Sequence, residues 1–130
     1  MPHANVQILQ EIDKAMTEGN IDTFLGYFTD DVKAHVRGSN KLAGDYEGRD
    51  QFQDLFGRFM EAAGADYSFE NHAYLADDEH GVTLQTSHFE REGRTLELQE
   101  AFVLHFRDGK VSEMWYLPAD GAAFDAWTGR

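Results

Sequence analysis

The sequence predicts an α+β protein in which a curved antiparallel sheet wraps around helices. Helical periodicity occupies the first half of the chain, and four strand-like segments joined by short turns occupy the second half. Helices followed by a run of strands are typical of a sheet that carries its helices on one face. The length matches a single domain, residues 1–130. A sheet that curls around helices often encloses a pocket on its concave face.

Two helices are predicted before the first strand. In residues 5–18, apolar side chains recur at three- and four-residue steps, which predicts an amphipathic helix with Asn5 as its N-cap. Gly19-Asn20 then breaks that helix, and a short second helix is expected from Ile21 to Phe28. The first strand follows, where residues 32–37 alternate between apolar and polar side chains.

A segment with three glycines, residues 35–49, joins the first strand to the third helix. Glycine reaches positive φ without steric cost, so this segment is expected to turn sharply several times. It also contains a titratable ring, His35, and a phenol, Tyr46, and binding sites often lie on such loops. The helix after it is predicted from Arg49 to Ala63, with an apolar stripe of phenylalanine, leucine and methionine side chains.

The second half of the chain predicts a meander of four strands. These segments are Tyr67 to Ala76, Val82 to Arg91, Leu96 to Arg107 and Val111 to Leu117. Two of the connections are short turns with a central glycine, which suits tight hairpins. Residues 119–127 are expected to form a closing helix or an ordered tail.

The composition excludes several classes of partner. A net charge of −13 and a pI near 4.6, with the basic residues scattered, argue against nucleic acid and anionic membrane surfaces as partners. The absence of cysteine excludes disulfides and thiolate nucleophiles. No apolar run approaches the roughly 20 residues that span a bilayer, and the N-terminus lacks the pattern of a secretion signal. A soluble, cytoplasmic protein is therefore expected.

Six short motifs, taken in order, resemble those of a known superfamily. They are Gly19-Asn20-Ile21-Asp22, Phe28-Thr29-Asp30-Asp31-Val32, His35-Val36-Arg37-Gly38, Leu42-Ala43-Gly44-Asp45-Tyr46-Glu47-Gly48-Arg49, Arg91-Glu92-Gly93-Arg94 and Asp108-Gly109-Lys110-Val111-Ser112-Glu113-Met114-Trp115. With this order and spacing, the chain resembles the cystatin-like, nuclear-transport-factor-2-like superfamily. Within that superfamily it resembles the SnoaL-like proteins related to polyketide cyclases and ketosteroid isomerases. The resemblance implies a cone-shaped sheet around three N-terminal helices, a deep pocket and a homodimer that forms through the sheet.

The residues that ketosteroid isomerases use are mostly absent from this chain. Those enzymes place a carboxylate base near the end of the first strand, with a tyrosine and a protonated aspartate as hydrogen-bond donors. The base position falls on His35 when the chain is aligned on Gly38, and on Val36 when it is aligned on the aspartates of the preceding strand. The tyrosine corresponds to Ile12 and the aspartate to Phe102, so steroid isomerase chemistry in its familiar form is not expected.

Two residues are candidates for proton transfer. His35 titrates near neutral pH, so it could act as a base, although a strand histidine can equally bind a loop carbonyl or face solvent. Glu100 shares its parity with the apolar residues of the predicted strand from Leu96 to Arg107, so it should point inward. A buried acid there would have a raised pKa, unless the open end of the strand lets the carboxylate reach water.

Six further side chains could contact a ligand, with ordinary core packing as the alternative for the apolar ones. They are Tyr46, Phe56, Gln85, Phe102, Met114 and Tyr116. Trp115 has the opposite parity to Met114 and Tyr116 and is expected on the convex face as a dimer anchor. Alternation against the apolar face of its strand predicts that His105 faces outward, the resemblance implies that His88 lies on the convex face, and the direction of His72 stays open. No metal is expected, because the six histidines form no pair with ligand spacing.

The sequence therefore predicts a protein that binds a small apolar or polycyclic molecule. As an enzyme, it would be an isomerase or cyclase that works by proton transfer and needs no cofactor. The alternative is a non-catalytic binder or accessory domain that uses the pocket or the sheet for association.

Overall fold

The structure is a computed structural model that describes residues 3–129. Its elements, in chain order, are α1 (Ala4–Thr17), α2 (Ile21–Gly26), β1 (Phe28–Val36), β2 (Gly44–Glu47), α3 (Gly48–Ala63), β3 (Ser68–Ala76), β4 (His80–Arg91), β5 (Arg94–Arg107), β6 (Lys110–Pro118) and α4 (Gly121–Thr128). Within residues 3–129, no helix is both long and apolar enough to cross a bilayer.

The strands form one curved, unclosed sheet of six strands in the order β2-β1-β6-β5-β4-β3. The predicted fold class, a curved sheet around N-terminal helices, is confirmed. One pair differs from the expected antiparallel arrangement, because β1 runs parallel to β6. Parallel neighbours need a long crossover connection, and the chain from β2 through β5 provides it.

The first elements differ in their limits from those that the sequence predicts. Helix α1 is capped by His3, whose ring accepts a hydrogen bond from the backbone N–H of Asn5 at 3.1 Å. Asn5 is therefore not the N-cap; it is buried, and its side-chain amide donates to the carbonyl of Asp77 at 3.0 Å. Helix α2 ends at Gly26, and β1 begins at Phe28 instead of residue 32.

The strand β2 lies where the sequence predicts only turns. It pairs antiparallel with β1, from Val36 opposite Gly44 to Lys33 opposite Glu47. Four residues are too few for the alternation of side chains to reveal a strand. The turns themselves are present, since Gly38 has a φ of +116°, and a Cβ there would collide with Asp125 Oδ1.

The sheet has an inner face, which packs on the helices, and an outer face. Side chains alternate between the two faces along each strand. The side chains that are most completely buried include Phe28, Val32, Phe89, Val111 and Phe124. Helix α4 closes one end of the helical layer, where Trp127 donates its indole N–H to the carbonyl of Ala62 at 2.8 Å. The remaining hollow between the helices and the inner face contains the candidate site.

Candidate functional site

A cavity of about 110 Å³ lies between the helices and the inner face of the sheet. That volume is several times what one water molecule needs. Most of its walls are apolar, and Phe24, Phe52 and Phe59 supply much of the aromatic surface. Polar side chains reach it at only a few points, among them Gln85 and Tyr116. Such walls, with few polar groups, suit a largely apolar ligand.

Five of the six predicted contact residues line this cavity, namely Phe56, Gln85, Phe102, Met114 and Tyr116. Tyr46 does not line it. Its hydroxyl donates to the carbonyl of Leu42 at 2.7 Å and accepts from Arg58 at 3.0 Å. The expectation that Tyr46 faces the cavity is therefore wrong. The tyrosine belongs to the short strand β2, where its hydroxyl holds the preceding loop and the side of α3 together.

Glu100 lies on the inner face of β5, directly behind the cavity wall. It is 4 % exposed and does not itself line the cavity. Its Oε1 accepts hydrogen bonds from Gln85 Nε2 at 2.8 Å and from the hydroxyl of Ser87, and its Oε2 accepts from the hydroxyl of Tyr116. The hydroxyls of Ser87 and Tyr67 are 2.9 Å apart. Glu100 therefore contacts the cavity through Tyr116 and Gln85, and we call these five residues the inner polar cluster.

Pairing of the strands brings the inner polar cluster together. Gln85 of β4 lies opposite Glu100 of β5, and Phe102, two residues further along β5, lies opposite Tyr116 of β6. Burial raises the pKa of Glu100, although its hydrogen bonds to Ser87, Tyr116 and Gln85 oppose that effect. The pKa of Tyr116 is also raised, by burial and by the nearby carboxylate. The cluster thus contains a carboxyl group whose proton is held more tightly than in water.

His35 lies on the outer face of the sheet, away from the cavity. Its Nδ1 is 2.7 Å from Asp45 Oδ1, its Nε2 is 2.6 Å from Glu113 Oε2, and its ring stacks on Trp115 at 5.2 Å. Of the two alternatives for His35, a base at the cavity or a strand histidine turned away from it, the structure shows the second, with the ring bound to two carboxylates. Its neighbour Val36 lines the cavity instead, and alternation along β1 therefore turns His35 outward.

The surroundings of His35 hold it as an ion pair. Burial disfavours the charged imidazole, but the hydrogen bonds and charges of Asp45 and Glu113 outweigh it and raise the pKa of His35. The same contact with His35, together with Arg37, lowers the pKa of Asp45. The arrangement stabilises a protonated histidine, which is the wrong state for a base.

The other histidines of the sheet also lie on its outer face. His72 Nε2 is 2.5 Å from Thr86 Oγ1, and the ring of His105 lies 4.7 Å from that of Trp115. His88 Nε2 is 3.9 Å from Glu70 Oε1. Within residues 3–129, no group of three or more histidine, aspartate or glutamate side chains is arranged to hold a metal ion.

Comparison with known proteins identifies the family. The profile of the SnoaL-like domain matches residues 9–114, which is most of the chain. The chain belongs to the SnoaL-like domain family. No curated protein sequence matches this SnoaL-like chain significantly. The match to the family profile confirms the resemblance seen in the sequence motifs.

Solved structures show the same fold. Bal32a from a soil-derived mobile gene cassette is 24% identical over 96% of each chain, with a TM-score of 0.89. A protein of unknown function with a cystatin-like fold from Xanthomonas campestris is 23% identical over 100% of each chain, with a TM-score of 0.88. TerC, co-crystallised with polyporic acid, is 17% identical over 95% of this chain and 97% of its own, with a TM-score of 0.83.

The SnoaL-like chain has a second carboxylate at the cavity, the half-buried Asp13, which the sequence analysis did not single out. Asp13 lines the cavity, and its Oδ2 accepts hydrogen bonds from the hydroxyl of Tyr74 at 2.6 Å and from the side-chain amide of Asn71. The sequence signal was its position on α1: it lies four residues after Leu9 and so falls on the apolar stripe, not between apolar positions.

The outer face of the SnoaL-like sheet carries two apolar rows of cross-strand neighbours. They are Leu84–Ala101–Leu117 and Val82–Val103–Trp115. Leu84 is 39% exposed and Leu117 45% exposed. We call this surface the outer apolar rows. Trp115 lies on this face, beside His35, as its parity predicts.

Proposed function

We propose that this SnoaL-like protein is a cofactor-independent enzyme of the isomerase or cyclase type. It binds a small, apolar or polycyclic molecule in the cavity and moves a proton within it. One observation carries the proposal: a buried carboxyl group, Glu100, is hydrogen-bonded to a phenol, Tyr116, that lines an otherwise largely apolar cavity. A buried acid beside a cavity is a common arrangement for proton transfer.

The pair of Glu100 and Tyr116 can hold or release one proton at the cavity wall. When Glu100 is ionised, the phenol donates to it. When Glu100 carries a proton, it can donate to the phenol oxygen, and the phenol hydrogen is then free to bind a ligand oxygen. Burial raises the pKa of Glu100 and so favours this second state. A hydrogen bond from Tyr116 would stabilise negative charge as it develops on a carbonyl oxygen.

The remaining polar groups of the cluster support this role. Gln85 and Ser87 both bind Oε1 of Glu100, which leaves Oε2 for Tyr116. They thereby fix the carboxyl plane and direct the proton toward the cavity. No Arg or Lys bonds to Glu100 within residues 3–129, so the carboxylate is not held ionised by a cation. TerC, a neighbour in fold, was crystallised with polyporic acid, which is consistent with an organic ligand in this fold.

Deuterium exchange of a simple ketone tests the proposal. The probe is 2-tetralone, a bicyclic ketone whose hydrogens next to the carbonyl exchange slowly in D₂O and can be followed by NMR. The native protein is expected to accelerate this exchange, and Glu100→Gln to lower the rate by at least about tenfold, as for loss of a positioned proton donor. If the probe binds but exchanges no faster than in buffer, catalysis of this type is ruled out, and the non-catalytic alternative takes its place.

The outer face favours a second, separate role in association. We propose that two copies of the chain pair through the outer apolar rows, because this surface exposes Leu84 and Leu117 beside Trp115. Exposed apolar side chains that form one continuous patch mark surfaces that associate. A homodimer of this kind would not cover the cavity, which lies on the other side of the sheet, among the helices.

A further inference from the structure

The charge of the cavity wall comes from a single carboxylate. Within residues 3–129, Asp13 is the one acidic or basic side chain that lines the cavity, and it projects from α1 beside Leu9, Ile12 and Met16. No arginine or lysine of this part of the chain pairs with it. A half-buried carboxylate without a cation costs folding free energy, and packing alone would favour an apolar residue at this position.

The hydrogen bonds of Asp13 account for only one of its two oxygens. Its Oδ2 accepts from the hydroxyl of Tyr74 at 2.6 Å and from the side-chain amide of Asn71, both of β3. The pairing of β3 with β4 shifts between Asn71 and Ala73, and this bulge turns both donors toward α1. Its Oδ1 accepts no hydrogen bond from the residues that the structure describes. A role in joining α1 to β3 therefore explains Oδ2 and leaves Oδ1 for a ligand.

A second acceptor beside Asp13 also lacks a donor. Asn71 uses its Nδ2 to bind Asp13, while its Oδ1 is buried and accepts no hydrogen bond from residues 3–129. Buried acceptors without donors are costly. A ligand that ended in a carbonyl or a carboxylate would add a further acceptor here, whereas a group with several N–H bonds would supply donors. The hydrogen-bonding groups around Asp13 therefore favour a ligand that donates.

The charge and the aromatic walls favour a cation over a neutral donor. The net charge of the chain, −13, attracts cations. Burial is the main reason that the pKa of Tyr67 is raised, and the charges of Glu100 and Asp13 add to it, so this ring of the cavity wall lies near both carboxyl groups. Phe56 and Phe59 add two further rings to the same walls. The faces of such rings attract ammonium groups.

Of the two carboxyl groups near the cavity, only Asp13 is arranged to receive the charge of a ligand. Glu100 does not line the cavity, and both of its oxygens already accept hydrogen bonds from side chains. Burial raises the pKa of Asp13 to about 6, against the hydrogen bonds from Tyr74 and Asn71, so the group is still a carboxylate at pH 8. A cation bound to it would offset the cost of keeping that charge from water.

We propose that the ligand of this cavity is an organic cation with a largely apolar body, a polycyclic amine in its ammonium form, and that Asp13 binds its nitrogen. Asp13 Oδ1 accepts a hydrogen bond from the ammonium group, and the apolar body lies among the aromatic walls. The inference rests on the proposed function, which places an apolar ligand in the cavity, and it names the chemical class of that ligand. Asp13 selects the ligand, and no bond is made or broken at its carboxylate.

Two probes that differ in one group test the inference. 2-Aminotetralin carries an alkylammonium group that stays charged at pH 8, as a lysine side chain does, and 2-tetralol carries a hydroxyl in its place. In calorimetric titrations at this pH, the native protein should bind the amine at least about tenfold tighter, as for a hydrogen bond between charged groups. Asp13→Asn keeps the size of the side chain but presents N–H groups to the ammonium. It should lower the affinity for the amine at least about tenfold and change that for 2-tetralol less than about twofold.

Two control variants separate a local contact from an effect of overall charge. Asp66→Asn, the same change at an exposed residue in the loop before β3, should leave the preference for the amine unaltered. Glu100→Gln removes the other carboxyl group near the cavity and should keep most of that preference. A preference that Glu100→Gln abolishes and Asp13→Asn retains would overturn the assignment of Asp13.

The outcomes distinguish this inference from the proposed function. If the native protein binds 2-tetralol and accelerates exchange of 2-tetralone but binds the amine no more tightly, the inference is wrong and the proposed function stands. If it binds the amine through Asp13 but exchanges no ketone, the ligand class holds and the catalytic part of the proposed function is wrong. If neither probe binds, both fail.

A second measurement decides the matter even where Asp13→Asn does not fold. A proton competes with the ammonium for Asp13, so the affinity for the amine should fall as the pH is lowered through about 6, while that for 2-tetralol stays constant. Tyr74→Phe removes a hydrogen bond that lowers the pKa of Asp13, so the fall should begin at a higher pH.

The other titratable groups near Asp13 should not produce this fall. Burial raises the pKa of Tyr67 and of Tyr74, so both phenols stay neutral in this range. Glu100→Gln should leave the pH of the fall in place. An affinity for the amine that is constant between pH 5 and pH 8, or a fall at the same pH in Tyr74→Phe and the native protein, would overturn the inference.

Discussion

Titratable side chains on the two sides of the sheet have different surroundings, and their pKa values are shifted for different reasons. On the inner side, Glu100 of β5 is buried and Asp13 of α1 is half-buried; both receive hydrogen bonds from neutral side chains, and removal from water raises the pKa of both. On the outer face, Asp45 and His35 are paired by charge, which lowers the pKa of the acid and raises that of the histidine. The surroundings of a titratable side chain, more than its residue type, therefore decide whether it is available for chemistry. The inner groups lack counter-ions beside a cavity, and the outer ones are neutralised by each other.

The largest expected contrast is between two glutamates, one on each face. Glu100→Ala removes the acceptor for Gln85, Ser87 and Tyr116 and should lower the free energy of unfolding by about 3 kcal/mol, the cost of leaving buried donors unpaired. Glu113→Ala, on the outer face, removes a partly exposed ion pair with His35 and should cost less than about 1 kcal/mol. Urea unfolding of both variants measures this. Equal losses would show that the two faces do not differ as described.

The next effect concerns association through the outer face. Leu117→Arg places a charge in the outer apolar rows and should weaken the proposed dimer by about 2 kcal/mol, or roughly thirtyfold in its dissociation constant. Light scattering coupled to size-exclusion chromatography reports the mass. Glu61→Arg, a charge change at an exposed position of α3, serves as the control and should leave the mass unaltered. A native protein that is monomeric at high concentration would contradict the dimer outright.

The smallest effect is a pH dependence of stability from the outer ion pair. The pKa of His35 is raised in the folded protein. Its contribution to the free energy of unfolding is therefore complete at pH values below its pKa in the unfolded chain, near 6.5. That contribution is lost as the pH rises through the higher pKa of the folded protein. The lowered pKa of Asp45 adds a contribution that is lost as pH falls below about 4. His35→Gln should therefore lower Tm more at pH 5.5 than at pH 9.

Much of the fold could be predicted from the sequence, because periodicity reports secondary structure directly. Helices at residues 5–18 and Arg49 to Ala63, and the four strands of the second half, lie where the apolar spacing places them. Two features of the fold could not be predicted from periodicity. Strand β2 is too short to show alternation, and β1 gains its parallel partner β6 only through a contact between residues far apart in sequence.

The candidate site could be predicted only in part. Glu100 stands out because it interrupts an apolar strand face, and five of the six predicted contact residues line the cavity. His35 was misplaced although its strand alternates clearly: Val32, Ala34 and Val36 form the buried apolar face of β1, and this puts His35 on the opposite face. Asp13 could not be recognised from the sequence, because its hydrogen-bond donors come from β3, where only the bulge turns Asn71 and Tyr74 toward it.

Two neighbouring residues on β6 allow the central claim to be tested in one experiment. Tyr116 lines the cavity, whereas Trp115 lies on the outer face, one residue away. The measurement is the rate at which 2-tetralone takes up deuterium with the native protein, Tyr116→Phe and Trp115→Phe. We predict a native rate well above that of buffer, a loss of about tenfold or more in Tyr116→Phe and no loss in Trp115→Phe. A native rate equal to that of buffer, or an equal loss in both variants, would contradict proton transfer at the inner face.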